Sequence, residues 1–316
     1  MISLEHFKLL LAGGREGQSG VGDSNVVQEE FFWNIIKRVF RGYNEFMKAL
    51  PSGEEVWEVV RSFPPESAPS PDGYPGAFYV ATWGFVGHDV TEAIQDFFRG
   101  GTLNRGTCAS RMVLVPKVKS PSSISLYRPI CLCNVSYKIL ESLLARRLNK
   151  LIPSIISPEQ HGFVKVRGIH GVVGVSQEMI EDLNKKVVCS NDILQVDIEK
   201  AYDKLEWSFI IRAMRAIGFH EWVFDFFFHC FPSPWISISL PGKGFGFFKN
   251  VRGVRKGDPL SPTMFIISQE ALSQNLHRGI IDRRILPYRS QASDGSLSHL
   301  IFADDILIFL MEGDHP

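Results

Sequence analysis

Two adjacent aspartates, Asp304 and Asp305, interrupt an otherwise apolar stretch near the end of the sequence. Residues 300–302 precede them and residues 306–309 follow them, and both runs have the composition of buried strands. The pattern predicts a β-hairpin with both carboxylates at its turn. Burying two neighbouring anions is costly unless a cation shares their charge, so a bound divalent metal ion is expected at this turn.

A second acidic position, Asp197, stands at the end of an upstream apolar run over residues 193–198. Together with Asp304 and Asp305 it would supply three carboxylates from neighbouring strand ends. Such hard oxygen ligands suit two Mg²⁺ ions about 3.5–4 Å apart, a pair that stabilises the attacking and leaving oxygens of an in-line phosphoryl transfer. Each aspartate alone could equally be a turn or capping residue, so only the combination indicates a metal site.

The composition is that of a folded globular protein, with 316 residues of which 45% are hydrophobic and 22% charged. No run approaches the roughly 20 apolar residues of a membrane helix, and the N-terminus lacks the pattern of a secretory signal. We therefore expect a soluble intracellular protein with no membrane partner. Its five cysteines show no metal-binding spacing and are expected to be reduced core thiols.

The net charge is zero, but residues 101–150 hold nine lysines and arginines against one acid, Glu141. A basic segment of this kind suits a polyanionic partner or a triphosphate. The alternative is a solvated helix face. A second basic stretch, residues 252–262, carries Gly253 and Gly257 and leads into a predicted helix. Glycines allow close backbone approach to a ligand, and a helix N-terminus favours anions, although alone this signal is weak.

Helices and strands alternate irregularly without a repeat, which indicates an α+β fold with helices on one face of a sheet. The predicted strands cover residues 111–117, 193–198, 235–240 and 245–251, and the last two form a hairpin. The main predicted helices cover residues 134–151, closed by Pro153, and residues 204–217 and 260–277. Asp203 is expected to cap the helix that follows it. Residues 1–50 carry no motif and are expected to be poorly organised.

An ordered set of motifs resembles the reverse transcriptase of plant LINE-type non-LTR retrotransposons. These motifs are Leu114 to Lys117, Tyr127 to Ile130, Asp197 with Lys200 to Asp203, Arg252-Gly253 with Gly257 to Pro262, and Phe302 to Asp305. Two further segments, residues 68–73 and 156–163, are similar to other parts of that family. The resemblance runs from about residue 50 to the C-terminus.

The resemblance implies a right-hand polymerase fold of fingers and palm, with an antiparallel palm sheet. Residues 51–190 would form a fingers-like region and residues 191–316 a palm-like region, with the family's reverse transcriptase domain at about 110–316. Only eleven residues follow Asp305. The later palm segment and the thumb are therefore expected to be absent.

The resemblance also implies roles for individual residues. Asp197 and Asp304 would hold two Mg²⁺ ions, for which Mn²⁺ is a substitute, with Asp305 completing the catalytic set and the Ile198 carbonyl assisting. The residues implied to contact the deoxynucleoside triphosphate are Lys117 and Arg128 at the phosphates, Tyr202 as a steric gate against the ribose 2′-hydroxyl, and Lys256 and Gly257 beside the pocket.

The implied function is RNA-directed DNA polymerisation on an RNA template with a DNA primer, with a nuclear location expected from the family. Two alternatives stay open. Lys256 stands where the family usually has glutamine, which also fits a catalytically dead remnant that acts at most as a nucleic-acid-binding module. A group II intron maturase-type protein would share the palm chemistry. The sequence does not indicate an oligomeric state.

Overall fold

The computed structural model describes residues 31–33, 35–66, 70–165, 167–183, 191–230, 235–240, 243–250, 252–288 and 297–311. The chain forms two compact units of interleaved segments. The first unit consists of Met1–Val39, Leu151–Gly218 and Thr263–Pro316, and the second of Phe40–Lys150 and Phe219–Pro262. The assignment of residues 51–190 to fingers and of residues 191–316 to a palm stays a prediction.

The described parts of the chain mix helices and strands throughout, in agreement with the expected α+β class. The helices are α1 (Arg41–Lys48), α2 (Gly53–Val60), α3 (Gly76–Phe98), α4 (Arg105–Cys108), α5 (Val135–Ile155), α6 (Ile169–Leu183), α7 (Ala201–Lys204), α8 (Trp207–Ile217), α9 (Glu221–Cys230) and α10 (Ser261–Ile281). The strands are β1 (Ser110–Pro116), β2 (Tyr127–Cys133), β3 (Asn191–Asp197), β4 (Trp235–Leu240), β5 (Lys243–Lys249), β6 (His299–Phe302) and β7 (Asp305–Met311).

The first unit contains a three-stranded antiparallel sheet in the order β3-β7-β6. Strands β6 and β7 form the predicted hairpin, with Phe302 opposite Asp305 and a two-residue turn between them. Strand β3 pairs along the whole of β7, from Asn191 opposite Met311 to Asp197 opposite Asp305. The antiparallel sheet expected for the palm is therefore present.

Helices cover both faces of this sheet, so the expectation of helices on one face only is wrong. On one face, Ile306 and Ile308 pack with Leu276 of α10. On the other, Phe309 packs with Met179 of α6. Successive residues of a strand point to opposite faces, and the side chains of β7 are apolar in both sets, so each face requires a cover.

The second unit contains a four-stranded sheet in the order β2-β1-β4-β5. Strand β1 pairs antiparallel with β2 and parallel with β4. Strands β4 and β5 form the predicted hairpin, with a register shift between Ile236 and Ile238, and residues 241–242 of its turn lie outside the described residues.

Helix α5 continues through Pro153 to Ile155, beyond its predicted end at Leu151. A proline inside a helix removes one backbone donor and crowds the preceding turn. Ile152 and Ile155 are both buried, and this apolar packing offsets the cost of the proline.

No helix in the ranges given above is long and apolar enough to cross a membrane. Four cysteines, Cys108, Cys131, Cys133 and Cys230, are free and buried, as expected for core thiols. Cys189 lies outside the described residues.

Truncation of Ile308 should test how much the double-sided cover of the sheet contributes to stability. Ile308 is 3% exposed, and Ile308→Ala should lower the free energy of unfolding by about 2–5 kcal/mol, through lost burial and the cavity left behind. Ile169 on α6 is 50% exposed, and Ile169→Ala should change it by at most about 0.5 kcal/mol. Urea unfolding measures both values, and equal losses would contradict the assignment of Ile308 to the core.

Candidate active site

The register of the three-stranded sheet brings the three predicted metal-binding aspartates to one end of it. Asp197 ends β3 directly opposite Asp305, which begins β7. Asp304 occupies the β6–β7 turn, and its carbonyl accepts a hydrogen bond from the Ile198 N–H at 3.3 Å. Directly opposed residues of an antiparallel pair have neighbouring side chains on one face. Two sequence segments more than a hundred residues apart thus supply one acidic cluster.

The three aspartates are exposed, so the expectation of buried carboxylates at the turn is wrong. Burial begins one residue into β7, at Ile306. The turn lies at the end of the sheet, and water solvates the exposed anions. Like charges placed directly opposite one another in a sheet still repel, and a bound cation would relieve that repulsion.

The donor chemistry of this cluster fits Mg²⁺, which prefers carboxylate and carbonyl oxygens and retains several waters. Among the described residues, no group of three or more acidic, histidine or cysteine side chains is placed so that it could hold a metal ion by itself. The Ile198 carbonyl, the predicted backbone ligand, accepts a hydrogen bond from the Ala201 N–H at 3.2 Å. A carbonyl oxygen has two lone pairs, so one stays available.

Tyr202, the predicted steric gate, lies in the short helix α7 and is half-buried. Its ring stacks on Phe265 with centroids 4.9 Å apart and an interplanar angle of 21°, and Phe163 meets it edge-on at 6.5 Å. Burial, and then the negative charge of Asp304, raise the pKa of the Tyr202 hydroxyl. The ring is therefore held by apolar contacts, and its hydroxyl stays protonated at neutral pH.

The helix predicted over residues 204–217 is α8, which begins three residues later, at Trp207, and the expectation that Asp203 caps it is wrong. Asp203 lies inside the first turn of the separate short helix α7, whose N-cap residue Lys200 adopts the left-handed conformation. Glu206 occupies the N-cap position of α8.

Two glutamines that sequence reasoning did not assign lie at the aspartate turn. The Gln269 Nε2 donates to the Ala303 carbonyl at 2.6 Å, and the Gln160 Nε2 donates to the Gln269 Oε1 at the same distance. Both glutamines are buried. The available signal was Gln269 itself, a polar residue on an otherwise core-facing stretch of α10.

Two of the predicted triphosphate-binding residues, Lys117 and Arg128, belong to the second unit and lie at the loop end of the β1–β2 hairpin. The Lys117 N–H donates to the Leu126 carbonyl at 2.8 Å, and Arg128 lies opposite Val115. This pairing makes Lys117 and Arg128 diagonal neighbours on one face of the hairpin. Both are exposed, and the Lys117 Nζ donates to the Ser125 carbonyl at 3.1 Å.

The predicted pocket residues Lys256 and Gly257 lie in a loop of the second unit that is bonded to β2. The Lys256 carbonyl accepts from the Cys131 N–H at 3.1 Å. Gly257 has a φ of +106°, and a Cβ at this position would lie 3.1 Å from the Cys131 carbonyl oxygen. Both the positive φ and the close approach favour glycine here.

Two basic residues counted as candidates for anion binding are buried and paired instead. Arg255, in the loop of residues 252–262, lies 2.5 Å from Asp258 and 3.2 Å from Glu141, and donates to the Tyr137 hydroxyl at 2.6 Å. Arg147, in the basic segment, pairs with a Glu55 carboxylate at 2.7 Å. The buried ion pair of Arg255 fixes the loop that carries Lys256 and Gly257.

The ionic cluster around Arg255 contains two acids, Glu141 and Asp258, for one arginine. Burial raises the pKa of Glu141 well above its ordinary value, the nearby Asp258 carboxylate raises it further, and Arg255 lowers it only in part. Glu141 therefore stays protonated at pH values where an exposed glutamate is ionised.

Comparison with known proteins identifies the relatives of this chain. The family profile "Reverse transcriptase (RNA-dependent DNA polymerase)" matches residues 115–315. The chain is 23% identical over 241 residues to the Transposon TX1 uncharacterized 149 kDa protein of Xenopus laevis, covering 76% of this chain and 18% of that protein.

Two further relatives come from insects. The chain is 27% identical over 209 residues to the Pol polyprotein of the retrotransposable element R2DM of Drosophila melanogaster, covering 66% of this chain and 19% of that protein. It is 23% identical over 259 residues to the R2 Pol polyprotein of Nasonia vitripennis, covering 81% of this chain and 23% of that protein. The chain spans about a fifth of the length of these relatives.

The raised pKa of Glu141 predicts a pH-dependent effect of Glu141→Gln. In the unfolded chain Glu141 loses its proton near the ordinary pKa of about 4.3, whereas the folded protein keeps the proton to higher pH. The stability of the wild type therefore falls as the pH rises from about 4.3 towards the pKa of the folded state. Glutamine imitates the protonated acid. In urea unfolding, the free energy of unfolding of the variant should rise relative to that of the wild type by up to about 1.4 kcal/mol per pH unit in that window.

Glu92 is an exposed acid of the same unit, and Glu92→Gln is the matched control. Glu92→Gln should not reproduce the pH-dependent gain of Glu141→Gln. A pH-independent difference for Glu141→Gln as well would show that Glu141 is ionised in the folded protein.

Proposed function

Since this chain belongs to the reverse transcriptase (RNA-dependent DNA polymerase) family, we propose that it acts as the RNA-directed DNA polymerase domain of a non-LTR retrotransposon. The main support for this proposal is the strand register, which places Asp197 opposite Asp305, next to the turn that contains Asp304. All three aspartates lie inside the segment that the family profile matches. Its substrates would be an RNA template with a DNA primer and deoxynucleoside triphosphates. A nuclear location belongs to the same proposal.

The aspartates would hold the divalent ions of the reaction. Asp197 and Asp304 would bind two Mg²⁺ ions, Asp305 would complete the acidic set, and the free lone pair of the Ile198 carbonyl would assist. When bound, such ions stabilise the attacking and leaving oxygens of a phosphoryl transfer. The exposure of the three carboxylates supports this role, since a primer terminus and a triphosphate must reach them from solution.

The remaining site residues would orient the incoming nucleotide. Lys117 provides a point charge and Arg128 a planar fork, a combination suited to a triphosphate. Gly257 would let the backbone approach the nucleotide closely, with Lys256 beside it. The Tyr202 ring, held against Phe265, would exclude a ribose 2′-hydroxyl.

Lys256 favours a second candidate function. A cation at the position where the family usually has glutamine would alter the nucleotide pocket, and the chain would then be an inactive remnant that binds nucleic acid. This candidate predicts binding of an RNA–DNA hybrid without nucleotide incorporation, whereas the polymerase proposal predicts both.

Substitution of Asp304 tests the polymerase proposal. Asp304→Asn removes one anion from the cluster and should reduce Mg²⁺-dependent incorporation of deoxynucleotides on an RNA template by roughly 100-fold or more. Mn²⁺ binding, followed by electron paramagnetic resonance, should weaken in parallel because carboxylate charge sets the affinity for a divalent ion.

The matched control is Asp192→Asn. Asp192 is an exposed aspartate of the same strand as Asp197, at its other end. This variant should incorporate nucleotides and bind Mn²⁺ as the wild type does. Undiminished incorporation by Asp304→Asn would refute the catalytic assignment of Asp304.

Substitution of Tyr202 separates its ring from its hydroxyl. Tyr202→Ala removes the ring that stacks on Phe265 and should weaken discrimination against ribonucleoside triphosphates by roughly tenfold or more. Tyr202→Phe retains the ring and should keep the discrimination of the wild type. The ratio of kcat/KM for a deoxynucleotide to that for its ribonucleotide measures the effect, and an unchanged ratio in Tyr202→Ala would exclude a gating role.

A further inference from the structure

The turn that carries Asp304 is held by a buried relay of side-chain amides. The Gly162 N–H donates to the Gln160 Oε1 at 3.0 Å, the Gln160 Nε2 donates to the Gln269 Oε1 at 2.6 Å, and the Gln269 Nε2 donates to the Ala303 carbonyl at 2.6 Å. Gln160 is 1% exposed and Gln269 is 5% exposed. All four residues belong to the first unit.

The direction of this relay is fixed at both ends by backbone groups. The Gly162 N–H can only donate and the Ala303 carbonyl can only accept. Each glutamine amide has one accepting oxygen and one donating nitrogen, so a single orientation of the two amides satisfies all three hydrogen bonds. Reversal of either amide would leave buried polar groups unpaired, which is costly.

The relay acts at a strained point of the backbone. Ala303 has a φ of +56°, in the left-handed region that is unfavourable for a residue other than glycine. The Ala303 carbonyl belongs to the peptide group that also contains the Asp304 nitrogen, so the bond from Gln269 sets the orientation of that peptide. Gln269 therefore controls how the backbone enters Asp304.

The segment that begins the relay is itself docked on the hairpin. The His161 N–H donates to the Ile301 carbonyl at 2.8 Å, and the Ile301 N–H donates to the Glu159 carbonyl at 2.9 Å. A Cβ on Gly162 would lie 2.3 Å from the Ala303 nitrogen, so the backbone at Gly162 fits against the turn only without a side chain. Backbone pairing and the amide relay thus hold the same turn from one side.

We propose that Gln160 and Gln269 are positioning residues, which lock the Ala303–Asp304 peptide and so present the carboxylate of Asp304 for binding a divalent cation. This inference rests on the proposed function for the identity of the cation site. It assigns to the two glutamines a role that acts through the backbone, without contact to metal or substrate.

Gln269→Met tests the relay because methionine has a similar volume and no amide. Deuterium exchange of the Ile198 amide, which donates to the Asp304 carbonyl, should become faster as the turn loosens. Mn²⁺ affinity, measured by electron paramagnetic resonance on the whole chain, should fall by roughly tenfold, as it does when groups that orient metal ligands are removed. Gln160→Met should have the same effects, because Gln160 acts on the turn through its hydrogen bond to Gln269.

Gln274→Met is the matched control. Gln274 lies on the same helix, is 6% exposed and makes two hydrogen bonds of its own, from the Ile36 N–H at 2.6 Å and to Glu270 at 2.8 Å. It does not contact the hairpin through these bonds. Gln274→Met should lower the free energy of unfolding about as much as Gln269→Met does, while the exchange rate of the Ile198 amide and the Mn²⁺ affinity stay as in the wild type.

The outcomes separate the two proposals. Equal behaviour of Gln269→Met and Gln274→Met in Ile198 exchange and Mn²⁺ affinity would overturn the positioning role. If Gln269→Met does not fold, Gln160→Met carries the same comparison. A double variant no worse than either single one would support a single relay. Faster Ile198 exchange in a chain whose wild type does not bind Mn²⁺ would support the locked turn and count against the proposed function.

Discussion

The pairing of β3 with β7 is the constraint on which the acidic site depends. In this register Asp197 faces Asp305, and a slip of one residue would turn every side chain of β3 to the opposite face. Such a slip would exchange the apolar contacts that β3 makes with the helices on the two faces. The energy that specifies the register thus comes from apolar residues of β3 such as Ile193, Leu194 and Val196, which pack against the two buried clusters, whereas the carboxylates that benefit from it are exposed.

Buried polar groups perform a related task at two of the loops that carry predicted site residues. In the first unit, Gln269 bonds the turn before Asp304. In the second unit, Arg255 lies between Asp258 and Glu141 beneath Lys256 and Gly257. Apolar side chains at the positions of Gln269 and Arg255 would fill the same space but would not fix the orientation of the neighbouring peptide groups. Hydrogen bonds and ion pairs are directional, and an unpaired buried partner is costly, so each loop has one favourable conformation.

Local sequence patterns were sufficient for the elements and for the acidic cluster. Continuous apolar runs that end at aspartates identify the β6–β7 hairpin and place Asp197 at a strand end. The failures concern long-range packing. Pro153 lies inside α5 because Ile155 is buried beyond it, and Arg147 is buried in an ion pair with Glu55, 92 residues away in the sequence. Sequence spacing shows neither which face of a strand is covered nor which arginine has a distant carboxylate.

The exposure of the aspartates changes the physical basis for expecting a metal ion. A buried pair would require a cation to be stable at all, and the folded chain would then depend on the metal. An exposed pair is solvated by water, so the sheet can form without a cation and bind one afterwards. The repulsion between Asp197 and Asp305 then becomes a modest cost that the apolar register of β3 and β7 sustains. It follows that the fold, and not an ion, sets the positions of the carboxylates.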